Sequence, residues 1–190
     1  LCVILMLLLG AFWMIYYSHR FVPIERAQEH FVEVDPDIFL WYRTWGNREG
    51  IPVLFVHGGP GNAIADYYNG NKRFFAPDVY FVIEVDQRGT GQSRPSVRDH
   101  AHNFHYYSHI SIDQIAADYE VVRQALGLEK WLVFGGSFGS TISINYGTRY
   151  PERCLALIVR AIYLDTAVEV ASVYSRRMHL NNSKRLAEFD

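Results

Sequence analysis

The chain has 190 residues, 49% hydrophobic and 20% charged, a balance that suits a globular domain with a substantial core and excludes a low-complexity or disordered polypeptide. A formal net charge of −2, with no long basic run, leaves no electrostatic footprint for nucleic acid. Two cysteines, Cys2 and Cys154, do not make a disulfide framework and read as apolar fillers, Cys154 at the start of a buried strand.

From Leu1 to Tyr17 every residue is apolar, aromatic or glycine, and the first charge is Arg20. That length is the lower edge of a membrane-spanning helix, and Trp13, Tyr16 and Tyr17 cluster at one end as interface anchors would. Residues 1–17 read first as a signal anchor, giving a membrane tether, and second as a cleaved signal peptide of the secretory pathway. If they are not a targeting segment, the protein is cytoplasmic. The chain opens on Leu and stops in polar, helix-like sequence at Asp190, so both ends are expected to continue.

Two strands, 30–34 and 38–45, flank an Asp35-Pro36-Asp37 turn and predict an antiparallel hairpin at a sheet edge. Residues 52–56 form a short, fully apolar run, as a buried parallel strand does. His57-Gly58-Gly59-Pro60-Gly61 follows directly, a tight loop whose backbone can approach a ligand closely. Residues 63–75 predict a helix and 80–85 another buried strand. The next turn, Asp86 to Ser93, carries Gly89 and Gly91 but has Arg94 where a dinucleotide loop needs a third glycine. It reads as a turn edging a crevice at the carboxyl end of a strand. His100, His102, His105 and His109 lie in a polar, aromatic stretch with no regular element to hold them, so a solvated loop is favoured over a zinc site.

Ser111-Ile112-Asp113-Gln114 is a capping box, with Ile112, Ile115, Tyr119, Val122 and Leu126 as the apolar stripe behind it and Gly127 as the stop. Next comes Trp131 to Phe134, an apolar strand with a sharp turn beginning at Gly135. It runs into Gly135-Gly136-Ser137-Phe138-Gly139, with a helix after it to Tyr150, where Pro151 stops it. A Gly-x-Ser-x-Gly segment between strand and helix is a nucleophile elbow: the serine takes a strained backbone, so the positions two before and two after must be nearly free of side chain. Residues 154–163 predict one more buried strand, and an amphipathic helical pattern follows Asp165. Alternating strands and helices give a mostly parallel sheet wrapped by helices, with the three loops on one edge.

In order and spacing, the 57–61, 86–93 and 135–140 motifs resemble the prolyl aminopeptidase (proline iminopeptidase) branch of the α/β-hydrolase superfamily, over residues 30–165. The resemblance implies an α/β-hydrolase fold, a mostly parallel sheet with helices on both faces, expected to stop before the cap domain and last strands. The implied layout is a hydrophobic leader at 1–20, the N-terminal part of the hydrolase core at 21–165, and the start of a helical cap at 166–190. Ser137 is then the nucleophile, with the backbone N–H groups of Gly59 and Phe138 as the oxyanion hole. His57, Gly58, Pro60 and Gly61 support the site from one loop, Asp86 and Arg88 from the second, and Gly135, Gly136 and Gly139 from the elbow.

The triad acid and histidine are expected beyond residue 190, as are the cap carboxylates that bind a substrate's amino group. Asp165 and His179 are the nearest downstream candidates within the chain. Without those parts the 190 residues are expected to be inactive. Phe138 stands where the family has Trp, and Ala161 where it has Gly, a change expected to matter little. The implied activity is release of an N-terminal proline from a peptide or amide through an acyl-enzyme at Ser137, with neither metal nor organic cofactor. An esterase, lipase or other amide hydrolase is the enzymatic alternative, and a catalytically dead, membrane-tethered binding protein the alternative of another class. Epoxide hydrolases and haloalkane dehalogenases carry Asp at the elbow, so Ser137 argues against them.

Overall fold

The computed structural model of the chain describes residues 27–67, 74–97 and 110–174. The apolar leader, the four histidines of 100–109 and His179 lie outside the described residues. Among the described residues no helix is long and apolar enough to cross a membrane.

Strands β1 (Gln28–Asp35) and β2 (Ile38–Gly46) form the expected antiparallel hairpin, its turn closed by Asp37 in the left-handed region at φ 64°. The chain continues through β3 (Ile51–Val56), α1 (Ile64–Tyr67), β4 (Tyr80–Val85), α2 (Ile112–Ala125), β5 (Trp131–Ser137), α3 (Phe138–Arg149), β6 (Cys154–Ile162) and α4 (Ala167–Tyr174). The sheet runs in the order β1-β2-β4-β3-β5-β6, with β4, β3, β5 and β6 parallel. From β3 the chain first crosses to β4 on one side and then returns to β5 on the other. The carboxyl ends of β3 and β5 therefore flank a topological switch point, where open α/β sheets hold their ligands.

Alternation along the strands feeds two cores. Leu54, Val56, Ile83 and Val133 pack on one face against Ile115, Tyr119 and Val122 of α2 and Ile142 and Tyr146 of α3. Trp41, Trp45, Val53, Phe55, Val82 and Phe134 point to the other face, under Ile64 of α1 and Phe75. Ser111 caps α2 as its sequence requires, accepting the Gln114 N–H at 3.1 Å, and Gly127 ends it at φ 67°.

A buried polar knot ties α2 to α3. Glu120 accepts from Arg123 on its own helix and from the Tyr146 hydroxyl across the interface at 2.8 Å. Burial pushes the Glu120 carboxyl up, but the bonds from Arg123, Tyr146 and Gln124 outweigh it and hold the group below the usual carboxylate range. Burial together with the Glu120 charge pushes the Tyr146 hydroxyl well above its ordinary value, so it remains a donor.

Three expectations are corrected. The helix expected over 63–75 does not reach its end: Phe74 and Phe75 form a turn, because Phe75 folds inward onto Phe134 and Tyr80 just ahead of Pro77. The elbow strand does not turn at Gly135; β6 pairs alongside it through Ser137, so the reversal falls on the serine itself. Among the described residues the strand expected to be buried at 154–163 stands last in the sheet, paired on one side only, with Leu155, Leu157, Ile158 and Ile162 between 41% and 58% exposed. Its apolar character is that of an interior strand, but no described element covers its outer side.

Candidate active site

Strand β5 delivers Ser137 to the switch point and α3 begins at the next residue. Ser137 has φ 55° and ψ −131°, a conformation a non-glycine residue takes only under constraint. The neighbouring glycines supply that constraint. A Cβ on Gly135 would lie 2.2 Å from Ser143 Oγ and 2.3 Å from the Gly139 carbonyl oxygen, and one on Gly139 would lie 2.5 Å from the Val56 carbonyl oxygen. Helix α3 thus sits directly on the end of β3, and any side chain at either position would push the elbow off the sheet.

Among the described residues Ser137 borders two hollows. The larger, about 260 Å³, is walled by Gly59 and Pro60 on one side, Ser137 and Phe138 at the base, and Tyr163, Asp165 and Val170 on the other. The smaller, about 60 Å³, is lined by Phe55, Val56, Gly58 and Phe134 with Gly136, Arg160 and Ala161.

His57 lines neither hollow. It is fully buried, its Nδ1 2.9 Å from the Gly58 carbonyl oxygen and its Nε2 accepting the Gln87 N–H at 3.1 Å, while the Gln87 side-chain amide donates to the His57 carbonyl at 2.8 Å. A ring nitrogen that accepts a backbone N–H carries no proton, so Nε2 is the acceptor of this ring. It clasps the 57–61 loop to the 86–90 turn.

The second motif, residues 86–93, braces the site from behind its first loop. Asp86 accepts the Ile64 N–H at 2.6 Å and the Gln92 N–H at 2.8 Å, closing its own turn onto the start of α1. Arg88 faces the sheet edge, pairing with Asp118 of α2 at 2.6 Å and Asp35 of β1 at 2.8 Å. Burial alone would lower the Arg88 guanidinium, and these two carboxylates more than reverse that.

Sequence reasoning missed the far wall. Ser140 donates to the Ser137 carbonyl at 2.6 Å and accepts the Tyr163 N–H at 2.9 Å, and the Thr141 hydroxyl donates to the Tyr163 carbonyl. The segment leaving β6 is thus bonded to the first turn of the elbow helix. The signal in the sequence is Ser140-Thr141 in that turn, two hydroxyls free to bond outside their own helix. Ala161 has φ 46°, a left-handed backbone where its Cβ is strained, so an alanine there carries more cost than its small size implies. Among the described residues no group of three His, Cys, Asp or Glu is placed to hold a metal ion.

The sequence model of the alpha/beta hydrolase fold matches residues 51–179, and the chain belongs to that family. Among its relatives are proline iminopeptidases, in keeping with the likeness read from the three motifs. That of Neisseria meningitidis serogroup A is 42% identical over 125 residues, covering 66% of this chain and 37% of the relative. That of Arabidopsis thaliana is 33% identical over 159 residues, covering 81% and 38%. A proline iminopeptidase-related protein from Thermus thermophilus superposes with a TM-score of 0.57 at 24% identity, over 70% of this chain and 44% of that one. The chain spans less than two fifths of the length of the proline iminopeptidases it matches.

Proposed function

We propose that Ser137 is the nucleophile of a serine hydrolase that releases an N-terminal proline from short peptides or amides. The observation that carries this reading is Ser137 itself, held at φ 55° at the head of α3 with Gly59 and Pro60 across the cavity. In this reading a histidine outside the described residues takes the Ser137 proton as Oγ attacks the substrate carbonyl. The Gly59 and Phe138 N–H groups hold the resulting oxyanion, each donor contributing on the order of 3 kcal/mol. The carbon–nitrogen bond then breaks, the leaving amine takes the proton back, and water releases the acyl group from Ser137. Replacement of Trp by Phe at position 138 leaves the backbone donor in place. The proline iminopeptidase relatives support the substrate class, and the elbow supports the covalent step.

The test is Ser137→Ala in the native protein, assayed with a prolyl arylamide and with short acyl esters. Turnover should fall by roughly 10⁶-fold. Undiminished turnover in that variant would remove Ser137 from the reaction. Cleavage of the esters but not the arylamide would keep the nucleophile and replace the aminopeptidase with an esterase.

A further inference from the structure

Gln87 lines neither hollow beside Ser137, yet it holds one residue of the 57–61 loop at two points. Its backbone N–H donates to His57 Nε2 at 3.1 Å, and its side-chain amide donates to the His57 carbonyl at 2.8 Å. We propose that Gln87 is a positioning residue: by fixing the peptide between His57 and Gly58, it aims the Gly59 N–H at the oxyanion that forms when Ser137 attacks. The inference rests on the hydrolase reading and adds to it the residue that sets the geometry of one donor.

The loop does not fix its own place. Gly58, Gly59, Pro60 and Gly61 have no side-chain donor or acceptor, so the direction of each N–H follows from where the two stems of the loop are held. Consecutive residues just past the end of β4 hold both. Gln87 takes the entering stem at His57, and the Asp86 carboxylate takes the leaving stem at the Ile64 N–H, 2.6 Å away. Between the stems Gly59 has φ 130°, and a Cβ there would lie 2.7 Å from the Gly61 nitrogen and 2.8 Å from that of Asn62. So tight a turn passes a rotation of the 57–58 peptide on to the next N–H. Gln87 is fixed in turn. Its carbonyl accepts the Thr90 N–H and the Thr90 hydroxyl, each at 2.9 Å, and the next residue, Arg88, pairs with Asp118 of α2 and Asp35 of β1. At 2% and 0% exposure, Gln87 and His57 bond out of reach of bulk water, where a lost donor is not replaced.

Distance decides what this arrangement does. An oxyanion donor acts when it lies about 2.7–3.1 Å from the oxygen that takes the charge, and losing one altogether lowers kcat about 100- to 1,000-fold. A displaced donor loses part of that effect, and loses it mainly in the transition state, because the ground-state carbonyl carries little charge. Removal of the Gln87 amide therefore acts on kcat and spares KM. Substrate binding is left to the walls of the two hollows, to which Gln87 contributes nothing.

The experiment compares the native protein with Gln87→Met, which keeps the backbone N–H and the length of the side chain but removes the amide donor. Active sites are counted by fluorophosphonate labelling, and kcat for a prolyl arylamide is expressed per labelled site. Affinities are measured for pyrrolidine-2-boronic acid, whose tetrahedral adduct with Ser137 is anionic, and for pyrrolidine, the same ring without the boronate. Per-site kcat should fall about 10- to 100-fold and the boronic acid should weaken by a similar factor, while KM and the affinity for pyrrolidine stay within about 2-fold of wild type. Thr90→Val removes only the hydroxyl bonded to the Gln87 carbonyl, and should lower per-site kcat about 2- to 5-fold with the same pattern. It reads the clamp even where Gln87→Met does not fold. Variants with fewer labelled sites, each as active as wild type, would overturn the proposal, since Gln87 would then serve folding alone. Equal weakening of pyrrolidine and the boronic acid would overturn it too. Wild-type protein that neither cleaves nor labels would instead overturn the hydrolase reading beneath it.

Discussion

Across the Ser137 cavity the 57–61 wall and the 163–170 wall are held by different means. The first is rooted in buried backbone: His57 and Gln87 exchange hydrogen bonds with both residues fully or almost fully enclosed, and the loop leaves β3 from the middle of the sheet. The second leaves β6, last in the sheet among the described residues, and depends on the two hydroxyls of Ser140 and Thr141 and the cap at Thr166 and Glu169. Under the proposed function, a backbone wall beside Ser137 suits the task of holding N–H donors in place. A side-chain wall changes with single substitutions while the sheet stands.

The contrast can be broken first at Gly139. Alanine there would meet the Val56 and His57 carbonyl oxygens at 2.5 and 2.8 Å, so Gly139→Ala should cost about 3 kcal/mol in urea unfolding and abolish labelling of Ser137. Next come two leucines on neighbouring parts of the sheet. Leu54→Ala, fully buried in β3, should cost about 3 kcal/mol, whereas Leu157→Ala, 41% exposed on β6, should cost under about 1 kcal/mol. Equal losses would show that β6 is as enclosed as the centre.

Smaller effects are expected at the α2–α3 knot. Tyr146→Phe leaves Glu120 without its cross-helix donor and should cost about 1–2 kcal/mol. Since the folded-state pKa of Glu120 is depressed, its contribution is present above the unfolded value of about 4.3 and is lost as pH falls through the depressed value. Glu120→Gln should flatten the acid limb of a stability-versus-pH curve, and an unaltered limb would contradict that assignment. Smallest is Ala161→Gly, where relief of the left-handed alanine outweighs the added chain entropy and should stabilise by about 0.5–1 kcal/mol.

Much of the sheet was legible because its signals are local. Apolar runs bounded by turn residues located 52–56 and 80–85 to within a residue, and Ser111 with Gly127 bracketed α2. The elbow was legible for the same reason: glycines two before and two after a serine encode one conformation. What was not legible depends on neighbours. An apolar strand reads the same at a sheet centre or edge, so 154–163 carried no sign of its place in the order of the described strands. The pairing of Arg88 with Asp118 and Asp35 follows from where α2 packs rather than from the Asp86–Ser93 motif. In the sequence Asp165 reads only as a partner for a histidine, because no pattern there brings it to the wall opposite Gly59.

The most direct test of the central claim is fluorophosphonate labelling of the native protein, followed by peptide mapping of the adduct. A single adduct on Ser137, lost in Ser137→Ala, is expected. A natively folded protein that takes no label, or takes it on another residue, would contradict the assignment of Ser137 as nucleophile.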